Sequence, residues 1–170
     1  MKKIAMIIML LAVFIVFVGN ASATPASGFS ATTLALGSFD EFKVFNQFLP
    51  GSDFAPDNKV WRSIQKTKGL SDVYVQSNVW QPGGTTGWHT HPGHSLIIVT
   101  EGTLTVYDGD DPTCEPAVYT VGMGFVDPGG GHVHIIRNEG VVEAKTIAVQ
   151  LIPDGAVRRI DAPDPGNCPF

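Results

Sequence analysis

The chain has little cysteine. It carries two in 170 residues, in no C-x-x-C spacing and with no histidine beside either, which argues against a zinc-ribbon or dithiol site. Basic residues are scarce as well, with 11 Lys and Arg against 16 Asp and Glu. That balance argues against nucleic acid as a partner, because binding phosphate needs a basic footprint. No repeat occurs at a solenoid or propeller period, and there is neither a phosphate-binding glycine loop nor a nucleophile elbow. Long apolar runs are missing too, apart from one at the N-terminus. Ile4 to Val18 is nearly unbroken, but it is shorter than the roughly 20 residues that span a bilayer.

Lys2 and Lys3 precede that run, and Ala21-Ser22-Ala23 follows it as a small-residue cleavage signal. The pattern predicts a signal peptide over 1–23, export to a secreted or periplasmic location, and no stable membrane insertion after cleavage. Removing Lys2 and Lys3 from the 11 basic residues leaves 9 against 16 acidic, a net charge of −7. In an oxidising compartment the lone pair Cys114 and Cys168 is expected to form a disulfide that pins the C-terminal tail.

What the chain has in quantity is short β-branched or aromatic segments separated by Gly, Pro, Asp and Asn. Strands are predicted over Val60 to Gln65, Asp72 to Trp80, Leu96 to Thr100, Thr103 to Tyr107, Ala117 to Thr120, Gly124 to Val126, Val133 to Ile136 and Glu143 to Leu151. Phe39 to Phe48 fits an edge strand better than a helical turn. The expectation is an all-β protein: a flexible N-terminal arm over 24–38, one β-barrel domain over 39–152, and an irregular tail over 153–170. So many short strands must close or stack to hide their edges, and a jelly-roll barrel does so.

All five histidines lie between positions 89 and 134, as His89-Thr90-His91, His94 and His132-Val133-His134. Imidazole is a common ligand for transition metals, and alternate residues of a strand point to one face, so each H-x-H pair would present two rings to one space.

Gly83, five residues, His89-Thr90-His91 and Gly102 resemble the first motif of the cupin superfamily. Gly122, five residues, Pro128, a glycine run, His134 and Asn138 resemble the second. The resemblance implies a double-stranded β-helix, or jelly-roll, barrel with one divalent transition metal held by His89, His91 and His134. It implies Fe, Mn, Ni, Cu or Zn, a small-molecule ligand or substrate, dioxygenase-like or oxidase-like chemistry, and a homodimer. The alternative is a binding cupin without turnover.

The motifs are departed from twice. Cupins place a metal-ligating glutamate three or four residues after H-x-H, where this chain has Ser95 and Leu96. The glycine run before His134 also carries one extra residue. His94, Ser95 and His132 are therefore the candidates for a fourth ligand or for a group behind the ligands. Trp88 and Asn138 are candidates to line the pocket. Asp108, Asp110 and Asp111 are read as a solvated hairpin turn rather than a calcium loop, and Arg137 as facing outward.

Overall fold

The computed structural model describes residues 23–51, 53 and 59–170. Residues 1–22 of the expected signal peptide lie outside the described residues. Among the described residues there is no helix, and so none long and apolar enough to cross a membrane.

Twelve strands form: β1 Ser27–Phe39, β2 Lys43–Phe48, β3 Trp61–Lys66, β4 Ser71–Thr85, β5 His89–Thr90, β6 Ser95–Glu101, β7 Thr103–Asp108, β8 Ala117–Thr120, β9 Gly124–Asp127, β10 His134–Arg137, β11 Ala144–Pro153 and β12 Ile160–Asp161. All but β2 and β3 belong to one antiparallel sheet. It folds into two facing layers, β1-β4-β11-β6-β9 and β12-β5-β10-β7-β8, joined where Arg137 of β10 pairs with Thr85 at the end of β4. The result is a nearly closed antiparallel barrel of the jelly-roll kind.

The expected flexible arm over 24–38 is corrected by β1. This strand pairs with β4 from Phe29↔Trp80 to Phe39↔Ser71, so what reads as a loose arm is a sheet strand. Its sequence SGFSATTLALGSF alternates weakly because most of its side chains remain exposed. The partner strand explains its order, since β4 needs hydrogen bonds on both edges and β11 supplies only one. The β2–β3 hairpin forms a separate two-stranded sheet, with Val44, Phe45, Trp61 and Ile64 exposed.

Alternation along the strands sorts the core into two clusters. Trp80, Val99, Leu104, Ile136 and Ala144 pack inside the barrel, joined by Phe29 and Phe125. Trp88, Tyr107, Ile135 and Ala162 pack elsewhere, together with Val133 and the cystine Cys114–Cys168. Neighbouring Ile135 and Ile136 thus serve opposite faces of β10, as the period of two requires. The second cluster includes the tail, which returns as β12 to pair with β5: Ile160↔Thr90 and Asp161↔His89. The expected disulfide is present, with Cα atoms 5.3 Å apart.

Asn138 is 1% exposed and ties a turn rather than lining a pocket. Its Nδ2 donates to the carbonyls of Trp80 and Val142, and its Oδ1 accepts from Gly140 N at 3.0 Å. Arg137 is half-buried, its guanidinium 3.9 Å from the Phe170 ring centroid, and does not face openly outward.

The cystine closes a loop across a sequence separation of 54 residues. Replacing both cysteines by serine is expected to lower unfolding free energy in urea by about 2–4 kcal/mol. A loss below about 0.5 kcal/mol would mean that the tail is held without it.

Candidate metal centre

His89 opens β5 and stands directly opposite His134, the first residue of β10. His91 follows just past the end of β5. The ring centroids of His89 and His134 are 4.4 Å apart, those of His89 and His91 4.9 Å, and those of His91 and His134 5.6 Å. One ligand atom from each lies within 4.8 Å of the others, as a shared ion requires. The three histidines predicted from the motifs are therefore brought together.

Hydrogen bonds leave the free nitrogens inward. His89 Nδ1 lies 2.9 Å from the Gly87 carbonyl, and His91 Nδ1 lies against the Arg158 carbonyl. Each Nδ1–H donates to its carbonyl, leaving Nε2 with a lone pair. This is the arrangement by which metal-binding histidines fix their tautomer. Gln150 Nε2 is also 2.9 Å from His91 Nδ1, but one nitrogen cannot donate to a carbonyl and accept from an amide at once. The carbonyl takes the proton, and Gln150 Nε2 serves the same carbonyl at 3.2 Å.

A carboxylate just past the predicted strand Gly124 to Val126 lies beside the cluster and groups with His132 and His134. Asp127 ends β9, is 4% exposed and pairs with Ser95 of β6. Its Oδ2 is 3.5 Å from His91 Nε2 and its Oδ1 3.7 Å from His134 Nδ1. Oδ1 accepts from Gly129 N at 2.9 Å, whereas Oδ2 is buried with no hydrogen-bond donor, as is His134 Nδ1. An acid thus stands on the neighbouring strand, at the position paired with Ser95, where the motif's glutamate is missing.

The glycine run allows this approach. A Cβ on Gly129 would stand 2.1 Å from the Gly93 carbonyl oxygen, and one on Gly93 2.1 Å from that of Leu151. The two loops after β5 and β9 can pass each other only without side chains. Gly129, Gly130 and Gly131 all have positive φ, and the extra residue of the second motif is absorbed there.

The other candidates are sorted by the same geometry. Ser95 is buried and lines the cavity beside the cluster. His132 precedes β10 instead of lying on it, so it does not share the inward face of His134. Its Nε2 points to Asp108 at 3.5 Å and Asp110 at 3.7 Å. It can join a second ligand group only with Asp127 and His134. His94 does not serve as a fourth ligand of the cluster. It lines an outer groove with Phe39, Val44 and Leu96. Trp88 packs with Ile135 and the tail rather than lining the cavity, which Trp80 does instead. Gln150, Arg158 and Arg159 also line the cavity and were not foreseen. A long polar residue on the inward face of β11 was the available signal for Gln150. The tail arginines offered none.

Residues 78–150 match the family model described as "Cupin domain". The chain carries a cupin domain. No curated protein matches the chain. Among solved structures, this cupin is similar to the polyketide cyclase RemF from Streptomyces resistomycificus, at 16% identity and TM-score 0.51, over 92% of this chain and 90% of that one. It also resembles a cupin superfamily protein from Desulfitobacterium hafniense, at 18% identity and TM-score 0.41, over 47% and 67% of the two chains. An oxalate oxidase matches at 25% identity and TM-score 0.41, over 48% of this chain and 46% of that one. The likeness to RemF describes the barrel fold alone.

Electrostatics keep the buried imidazoles of His89 and His134 neutral. Burial, and then His134 beside it, push His89 down to about 2. Burial pushes His134 down to about 4, opposed by the Asp127 carboxylate. Protons thus compete poorly with a cation for these nitrogens. The same shifts make metal-free stability depend on pH. Below about 6.5 the unfolded histidines bind protons that the folded ones refuse. Stability is full above 6.5 and falls as pH drops toward about 4 for His134 and about 2 for His89. Chelator-treated protein should lose about 1.4 kcal/mol per histidine for each pH unit below 6.5 in urea titrations. His89→Gln should halve that slope, whereas a flat profile between pH 7 and 5 would contradict neutral burial.

Proposed function

We propose that the protein is an exported cupin that binds one divalent transition metal through His89, His91 and His134, with the Asp127 carboxylate as charge partner. The observation that carries this reading is Asp127 Oδ2, buried without a donor and facing an imidazole nitrogen. A buried anion without a partner is costly, and a cation among neutral imidazoles removes the cost. The orphaned Nδ1 of His134 belongs to the same cluster. Fe, Mn, Ni, Cu and Zn all fit such nitrogen-rich ligation. Export is supported by the cystine, which persists in oxidising compartments.

Three histidines, with a carboxylate beside them, fall short of a full coordination sphere and leave room for a small molecule beside the ion. The cavity above the cluster holds about 100 Å³ and is lined by Trp80, Ile97 and Ile136 on its apolar side and by Asn78, Thr86 and Gln150 on its polar side. These walls would hold a bound molecule in one orientation, which is the protein's share in catalysis. The ion supplies Lewis acidity and, if redox-active, electrons. Oxidation or another transformation of a small organic molecule is the reading we favour. Among the described residues, no Asp, Glu, Tyr, Lys or Cys lines the cavity, and that observation favours the alternative, metal or ligand binding without turnover.

Elemental analysis of protein purified without chelator from an exporting host is expected to give one transition metal per chain. The triple change of His89, His91 and His134 to alanine should abolish it. Wild-type protein without stoichiometric metal, or a triple variant that retains it, would refute the site. Oxygen uptake with small acids then separates enzyme from binder.

A further inference from the structure

Two arginines from the tail line the metal cavity, and only one of them is neutralised. Arg159 Nε pairs with Asp161 Oδ1 at 2.6 Å, and its Nη2 donates to the Thr86 carbonyl at 2.6 Å. Arg158 has no carboxylate partner among the described residues. Its Nη1 donates to Thr33 Oγ1 at 2.7 Å, its guanidinium carbon stands 4.5 Å from the Tyr74 ring centroid, and its Nε is buried without an acceptor. The guanidinium is therefore fixed in direction on two sides, by a hydroxyl and an aromatic face, with donors left over. Burial disfavours its charge, so the position is held at a cost that an anion would offset.

The backbone of the same residue accepts from His91 Nδ1, which puts Arg158 one residue's reach from the histidine cluster. Asp127, the acid beside that cluster, already faces His91 and His134. A divalent ion, one carboxylate and one guanidinium leave a positive cavity. Its volume of about 100 Å³ is that of a few waters at ~30 Å³ each, and is less than the ~150 Å³ that encloses benzene.

We propose that Arg158 is the anion anchor of the cavity, and that the ligand is an aliphatic carboxylate of about two to four carbons. Its carboxylate sits on the free donors of the guanidinium, in the forked geometry arginine favours, and its other end reaches the histidines. The small volume favours short acids over benzoates and larger aromatic acids. This rests on the metal-binding reading for what lies at the far end of the ligand, but the arginine contact stands apart from it.

Propionate titrated into the full chain, followed by tryptophan fluorescence since Trp80 lines the cavity, tests the assignment. Wild type should saturate, while the neutral isostere propionamide and the larger benzoate should not. At equal measured metal content, Arg158→Gln should weaken propionate at least tenfold, and Arg158→Lys should fall between. Thr33→Val, which leaves the tail untouched, should weaken it several-fold and guards against misfolding of the tail variant. Propionate affinity of Arg158→Gln within twofold of wild type, equal binding of propionamide, or no saturation by wild type would each overturn the proposal. Metal-free protein that still loses propionate in Arg158→Gln would remove the metal and keep the arginine site. Metal-loaded protein indifferent to Arg158→Gln would do the reverse.

Discussion

A carboxylate buried among imidazoles is the constraint around which this barrel is arranged. Asp127 sits at the last position of β9, paired with Ser95, with one oxygen on a backbone amide and the other facing His91. Burying a lone carboxylate costs several kcal/mol, so a cation or proton must accompany it. The neighbouring histidines resist protons, because burial holds His89 and His134 well below the ordinary imidazole value. A metal ion meets both conditions at once. The two side-chain-free crossings at Gly93 and Gly129 let the loops pack closely enough to bring Asp127 to the rings.

The tail is the second support of the site. It adds β12 beside β5, so the strand that opens with His89 is paired on both edges, with β10 and with β12. It also supplies the carbonyl that orients His91 and the guanidinium that faces the cavity. The cystine anchors the tail's far end against Tyr107 and Ile135. In this protein the irregular segment after the barrel is a wall of the cavity beside the histidines.

Sequence patterns made the barrel legible because each strand alternates and each turn is marked. β4 and β11 were readable from their β-branched runs, and His89, His91 and His134 from motif spacing. β1 was not, since an outer strand with exposed side chains on both faces carries little hydrophobic period. Asp127 was hidden by its neighbours: an aspartate before Pro-Gly-Gly-Gly reads as a turn residue, and cross-strand register is invisible in a linear sequence. The motif sets its glutamate along the chain from His91, whereas here an acid stands across the sheet. The directions of His94 and Trp88 were not legible, because Pro92-Gly93 and Gly87 turn the chain and break strand alternation. Arg158 and Arg159 gave no signal, because their role depends on where the tail folds back.

The central claim is that Asp127 replaces, across the sheet, the acid that Ser95 does not provide. Metal affinity measured by competition with a chelator tests it directly in wild type, Asp127→Asn and the double variant Ser95→Glu/Asp127→Asn. The account predicts that Asp127→Asn weakens binding about 10–100-fold and that the double variant recovers most of it. Unchanged affinity in Asp127→Asn would contradict the account.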